Sequence, residues 1–283
     1  MEMVAAAKLR RFQDMMARSK PFTEGLENLL KRVGKGGSML DHPFLEQREE
    51  KRIAVVLITS DTGLCGSYNN DLVNLSLQFI RQKSAGASQI LGVGKSGITA
   101  LKGAGFPCQA AFTDLRASRV EEILVELRQA LEKIYISGEV DAVYVIYSHF
   151  KTLTTYKAIT EKLLPLSVGA VSSSVIPAKA GIQLDPPVKP EDDSNSVNYI
   201  FEPSAASIFK KLIPFYFESK IRTLFLEAIV SEQIARMTAM SQATKNAREM
   251  IDSLVLKRNK ARQAAITKEI IEIVSGSQAL KIK

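Results

Sequence analysis

Tryptophan is absent from this 283-residue chain, and cysteine and histidine occur only twice each. Cys65 and Cys108 give no disulfide framework and no metal-ligand spacing, and with only His42 and His149 beside them the sequence argues against a metal site. No apolar run approaches the roughly 18 residues that a spanning helix needs. The longest clean run is IAVVLI, and the N-terminus lacks a secretory pattern, so a cytosolic or peripheral protein is expected. Glycine and proline are both missing between Pro214 and Gly276. What remains is ordinary for a globular protein, with 46% hydrophobic and 24% charged residues. The formal charge of +8 and pI near 9.4 favour an acidic partner, whether nucleic acid, anionic lipid or protein surface, without choosing among them.

Three unlike regions follow one another. Residues 1–50 hold a helix from Met1 to about Leu30, alanine-rich at 5–7 and basic at Lys8, Arg10 and Arg11, then a loop with Gly and Pro signals. Nothing resembling an N-cap precedes MEMVAAAKL, so the sequence is expected to open partway along a longer helix. Residues 51–204 alternate the strands RIAVVLITS, SQILGV and DAVYVIYSHF with the helices DLVNLSLQFIRQK and SRVEEILVELRQALEKIYI, which predicts parallel pairing in a βαβ core. A proline-rich stretch at about 172–196 interrupts this pattern before a strand expected at NYIFE. It reads as an inserted surface loop, with a partner-binding linker as the alternative, and its VIPAKAGIQ resembles translated interspersed repeats.

Residues 205–283 form the third region. The 61 residues from 215 to 275 have helical composition throughout and would span about 90 Å. A compact globule of this length would be about 50 Å across, so most of such a helix must protrude. Ala235, Ala239, Ala243 and Ala247 recur at intervals of four, a stripe that lets another helix approach closely. The alanine-rich start of the chain is its natural complement, in an antiparallel pair built from the two chain ends.

Two loops mimic active sites. ITSDTGLCGSYNND at 58–71 joins a strand to a helix and offers Asp61, Cys65 and Tyr68, but no spacing brings His42 or His149 to Cys65 as a base. The glycines are read as shaping a turn and Cys65 as a small buried residue. GVGKSG at 92–97 lacks the first glycine of a phosphate loop, position 89 being Gln, and is read as the start of a helix after a strand. A Rossmann-type enzyme is disfavoured because the glycine fingerprint and acidic ribose partner are missing.

The stretches MEMVAAAKLRR, SDTGLCGSYN, YIFEPS and ARMTAMSQATKNAREMIDSLVLKRNKARQAAITKEIIEIVSGSQAL resemble the gamma-subunit family of the rotary F-type ATP synthase, over nearly the whole chain apart from the proline-rich insert. The resemblance implies an α/β fold, a Rossmann-like βαβ domain with a long antiparallel coiled coil formed by the N- and C-terminal helices. It implies a non-catalytic rotor shaft without cofactors, coupling proton-driven ring rotation to the beta-subunit sites. The implied partners are three alpha and three beta subunits, an epsilon subunit and the ring of membrane c subunits, on the cytoplasmic face of a bacterial inner membrane.

Residue by residue, the resemblance places Arg262, Gln263 and Thr267 against the beta catch region. It places Met1, Ala5, Arg236, Ala239 and Ala243 in the pairing of the shaft helices, with Arg236 facing the chain start, and Tyr199 and Glu202 against the membrane ring. The family normally carries about two dozen residues ahead of MEMVAAAK, and it usually has Arg and Gly at the positions of Thr62 and Ser67, so no role of that arginine is carried over. The other class weighed is a basic coiled coil binding nucleic acid. Glu227, Glu232, Glu249, Asp252, Glu269 and Glu272, interspersed along the last helix, disfavour it, and no nucleic acid is expected as partner.

Overall fold

Six consecutive apolar residues, Ile53–Ile58, form a strand buried on both faces, and the rest of the sheet is arranged around it. The computed structural model describes residues 2–34, 42–83, 88–152, 155–166 and 204–281. In chain order these form α1 (Glu2–Gly34), a short 3-10 turn (Pro43–Leu45), β1 (Ile53–Ile58), α2 (Tyr68–Lys83), β2 (Ser88–Val93), α3 (Lys95–Gly103) and β3 (Ala110–Phe112). They continue as α4 (Val120–Ile136), β4 (Ala142–Thr152), β5 (Thr155–Leu164) and α5 (Ala205–Lys281). The strand order is β3-β2-β1-β4-β5; β1 to β4 run parallel and β5 pairs antiparallel with β4.

Alternation along β1 sorts its residues between two cores. Ala54, Val56 and Ile58 face a cluster that includes Phe12, Leu30, Phe217 and Phe225 from the two terminal helices. Ile53, Val55 and Leu57 face Tyr68, Leu72, Ile80 and Leu101 of α2 and α3. The terminal helices therefore form, together with α4, one of the two layers over the sheet, as well as a stalk. That position modifies the expectation that most of the last helix protrudes. Residues 224–235 of α5 are largely or wholly buried, whereas every residue from 241 to 277 is exposed.

At 77 residues and 1.5 Å each, α5 is about 115 Å long. It runs through both Pro214 and Gly276, the punctuation that bounds it in the sequence. An interior proline ordinarily costs about 3 kcal/mol. Here Ile213 and Phe217, on either side of Pro214, are both fully buried, and their packing holds the chain helical across it. The antiparallel strand β5 departs from the expected all-parallel pattern, and β3 is too short to stand out as a strand. The proline-rich insert and the strand expected at NYIFE lie outside the described residues. Among the described residues, no helix is long and apolar enough to cross a membrane.

Candidate functional site

The chain steps from β1 to β2 to β3 on one side of β1 and returns with β4 on the other, so the topological switch lies between β1 and β4. In open α/β sheets the crevice beyond the carboxyl ends of such strands is where ligands bind. In this chain α5 occupies that position. The Ser231 hydroxyl donates to the Ser148 carbonyl near the end of β4 (2.9 Å), and the Tyr68 hydroxyl, at the start of α2, donates to the Ala228 carbonyl (2.9 Å). Ala235 packs in the cluster that contains Cys65 and Tyr68.

The neighbouring helix terminus is filled from within. At the start of α3, the Lys95 amide donates to the Asp61 carboxylate (3.0 Å), Ser96 to the Ser60 carbonyl (3.1 Å) and Gly97 to the Thr59 hydroxyl (2.9 Å). Asp61 also accepts from the Leu115 amide (2.6 Å). A carboxylate thus sits where a helix N-terminus would bind an external anion. Gly94, at φ 90°, has room for no side chain, since a Cβ would lie 2.3 Å from the Thr59 carbonyl oxygen. GVGKSG does begin a helix after a strand, and two of its glycines, Gly94 and Gly97, allow close approach to Thr59 just after β1.

Cys65 is buried and sits beside the Asn69 amide (3.2 Å) and the Ser60 hydroxyl (3.9 Å). Asn69 in turn accepts from the Ser60 amide (3.1 Å), so these polar side chains fix the turn. Among the described residues, no group of three His, Cys, Asp or Glu is placed to hold a metal.

The loop grips α5 through Arg236. Its guanidinium pairs with Glu232 (2.7 Å) and donates to the Thr62 carbonyl and hydroxyl (3.0 Å each) and to the Gly63 carbonyl. Thr62 thus supplies acceptors to Arg236 through both its backbone and its side chain. Burial pushes the Glu232 carboxyl up, opposed by the Arg236 charge and hydrogen bond. Burial likewise raises Tyr68 well above the usual phenol, and the Glu232 charge adds to it. Gly66, at φ 61°, lies beside Ala239, whose methyl would be 3.9 Å from a Cβ added at that glycine.

Arg236 therefore reaches the 60–63 loop, while Met1, near which the resemblance placed its partner, lies outside the described residues. Two acceptors of Thr62 lie at 3.0 Å in that loop, and the Gly63 carbonyl is farther off at 3.4 Å. Sequence reasoning missed Tyr68, Ser231 and Glu232 as junction residues. A signal was available, because buried polar positions on a helix otherwise facing a core require partners.

Lower on the shaft, the Thr23 hydroxyl of α1 meets those of Ser219 (2.5 Å) and Thr223 (2.9 Å). With Lys8 close enough to act on Glu232, these contacts set an antiparallel register. Ala5 and Ala235 are buried and Ala239 is half-buried. Ala243 and Ala247 are exposed, so the pairing expected of Ala243 is not made among the described residues. In this register the start of α1 lies level with residues near 239, so no described residue of α1 reaches Ala243.

Between α1, α5 and the β4–β5 edge lies a polar groove of about 320 Å³. It contains the His149–Glu227 pair (2.8 Å), and Glu161 held by Lys220 (2.9 Å) and the Tyr147 hydroxyl (2.9 Å). Farther along α5, Arg262, Gln263 and Thr267 are all exposed, and the Thr267 hydroxyl donates back to the Gln263 carbonyl (2.8 Å). Tyr199 and Glu202 lie outside the described residues. Exposed apolar side chains accompany this segment, among them Ile251, Leu254, Ile266, Ile270 and Ile273.

A family model described as ATP synthase matches residues 1–280. The ATP synthase gamma chain of Pelotomaculum thermopropionicum is 37% identical over 281 residues, covering 99% of this chain and 92% of that protein. The ATP synthase gamma chain of Desulforamulus reducens is 39% identical over 285 residues, with coverage of 99% and 92%. Among solved structures, a chain of the Tetrahymena thermophila mitochondrial ATP synthase central stalk and c-ring shares the fold, with a TM-score of 0.56, 21% identity, and coverage of 86% of this chain and 97% of that one. A chain of the Euglena gracilis mitochondrial ATP synthase aligns with a TM-score of 0.55 at 15% identity, over 99% and 94%. A sheet whose ligand crevice is filled by its own protruding terminal helix, matched along nearly its full length by these relatives, belongs to the ATP synthase gamma-chain family.

Proposed function

We propose that this chain is the central shaft of an ATP synthase, and that α5 beyond residue 240 enters the bore of a hexamer of three alpha and three beta subunits. The observation that carries this reading is the division of α5. Its first half is built into the domain, and residues 241–277 stand free with a row of exposed Ile, Leu and Val. Apolar surface on that scale marks a face that works in contact with a partner. Over about 55 Å the helix offers both apolar and charged contacts, and Arg262, Gln263 and Thr267 are our candidates for polar contact with the beta subunits. The sheet and its loops would sit below the hexamer, toward an epsilon subunit and the ring of membrane c subunits, with Tyr199 and Glu202 on the ring side. In this role the chain carries no chemistry of its own. It is peripheral to the cytoplasmic face of a bacterial inner membrane, where proton-driven turning of the ring drives the beta sites through successive conformations.

The reading is supported by the junction described above, because a shaft must be held by its domain against twist. The contacts of Tyr68, Arg236 and Ser231 join α5 to two different strand ends, so a torque on the domain reaches the helix through several bonds at once. A nucleic-acid-binding coiled coil would have no use for such a collar.

Site-specific labelling tests the proposal. In a chain carrying Cys65→Ala and Cys108→Ser, a thiol introduced as Arg262→Cys reacts freely with maleimide in the isolated protein. Assembly with the cognate alpha and beta subunits should slow that reaction at least ten-fold, while a thiol at Glu126 on α4 stays reactive. Unchanged labelling at 262 in the assembled complex would remove the proposal.

A further inference from the structure

We propose that the His149–Glu227 pair is a protonation-dependent latch between the sheet and the shaft helix, closed while the imidazole is doubly protonated and loosened when it becomes neutral.

The geometry sets the two partners apart. His149 stands near the end of β4 and Glu227 on α5, with Nδ1 2.8 Å from Oε2. The Glu227 side chain is only 10% exposed, whereas that of His149 is 40% exposed and opens on the groove of about 320 Å³. Solvent can therefore deliver or remove the imidazole proton while the carboxylate stays enclosed. One turn further along α5, Ser231 holds the Ser148 carbonyl, so the latch acts where β4 meets the shaft.

The charged and titratable groups around the imidazole leave it as the partner of Glu227. From β4 comes Tyr147, and from β5 come Glu161 and Lys157, the latter opposite His149 in the ladder. The α5 helix adds Tyr216 and Lys220, and α1 adds Lys20, Glu24 and Glu27. Glu161 is engaged by Lys220 and Tyr147, and Glu27 by Lys31 (2.7 Å). Lys20 faces the imidazole as a like charge. With the proton in place the bond is charge-assisted on both sides. Without it, the Nδ1–H tautomer still donates to the ionised carboxylate, but the attraction between two opposite charges is lost and the bond is weaker.

The hydrogen bond from Glu227 raises the His149 pKa above the ordinary histidine value, burial opposes it, and the charges of Glu227 and Glu161 raise it further. The folded state thus holds this proton more tightly than the unfolded chain does. The latch is fully closed below about pH 6.5 and opens as pH rises through the higher folded value. Any effect of the latch on torque rests on the shaft reading above, whereas the latch itself is read in the isolated chain, so failure of one is distinguishable from failure of the other.

The full chain contains only two histidines, which makes the test direct. Imidazole resonances are followed by NMR from pH 5 to 9, with His42→Gln assigning the pair. Hydrogen exchange of peptides covering 145–150 and 224–231, corrected for its intrinsic pH dependence, reads the junction. His149 should titrate above the ordinary value in the wild type and fall back in Glu227→Gln. Junction protection should drop about ten-fold for each unit of that elevation. In His149→Gln it should be low at every pH, and in His149→Lys it should lack the drop. If Glu227→Gln fails to fold, the two substitutions at half-exposed His149 carry the test. Wild-type pH dependence surviving in His149→Gln, or a His149 titration at or below the ordinary value, would overturn the proposal.

Discussion

The Tyr68 hydroxyl, at the first residue of α2, donates over 2.9 Å to the carbonyl of Ala228 on α5. The phenol is fully buried, so it binds the helix that follows the 58–71 loop to the shaft without competition from water. Because its acceptor is a main-chain oxygen, the bond resists sliding of α5 along its axis whatever small side chain occupies 228. Tyr68→Phe keeps the ring packing and removes only this bond. It should cost about 1 kcal/mol in urea denaturation, and Tyr68→Ala, which also leaves a cavity, about 3–5 kcal/mol.

Arg236 is the second fastening, and its loss should cost more than loss of the Tyr68 hydroxyl. The Glu232 partner is 6% exposed, and truncating one member of an enclosed pair typically costs about 3–5 kcal/mol. Arg236→Ala should therefore be more damaging than Tyr68→Phe, and the double variant with Glu232→Gln should recover part of the loss. A pH signature accompanies it. Burial raises the carboxyl of Glu232, so without Arg236 the folded state favours the protonated acid and stability should fall as pH rises from 5 to 8. Urea midpoints across that range distinguish this from simple loss of packing.

Gly94 tests the closed crevice. Its φ of 90° and the 2.3 Å approach of a Cβ to the Thr59 carbonyl forbid a side chain without moving the β1 loop. Gly94→Ala should destabilise by roughly 1–3 kcal/mol. Gly103→Ala, a helical glycine with nothing within 4 Å of the added methyl, should be neutral or slightly stabilising. Thermal denaturation of the two variants separates the cases.

The parts of the fold that the sequence makes legible are those where local pattern and tertiary burial agree. IAVVLI has no polar residue to place outward, and it becomes the strand covered on both faces. The long helix is legible because Gly and Pro are absent for most of its length, yet its true limits are not. Packing of Ile213 and Phe217 carries it through Pro214, which no local rule foresees. The antiparallel β5 escapes because TYKAITEKLL alternates only weakly between buried and exposed positions. At the junction, Arg236 is legible as a residue of interest but not its contact, since the Thr62 and Gly63 carbonyls are main-chain groups that carry no sequence signature. Ala243 follows the alanine stripe and is still exposed among the described residues, because a stripe records spacing and not contact.

Acid should loosen the far edge of the sheet before the junction. Burial works to raise the Glu50 carboxyl, but hydrogen bonds from Lys162 (2.8 Å), Lys83 (2.6 Å) and Tyr144 (2.9 Å) override it and bring the carboxyl down to about 2. A carboxylate with a lowered folded pKa stabilises the fold above its unfolded value of 4.5, and that contribution is lost as pH falls from there toward 2. Glu50→Gln should remove the corresponding segment of the acid-unfolding curve, measured by circular dichroism between pH 5 and 2.

The central claim is that the free half of α5 is a shaft held by alpha and beta subunits. Native mass spectrometry of the full chain mixed with its cognate subunits tests this most directly, alongside the same chain ending at Met240. The account predicts a complex of three alpha, three beta and one copy of the full chain, with the shortened chain left unbound. Absence of the full chain from the complex, or equal retention of the shortened one, would contradict it.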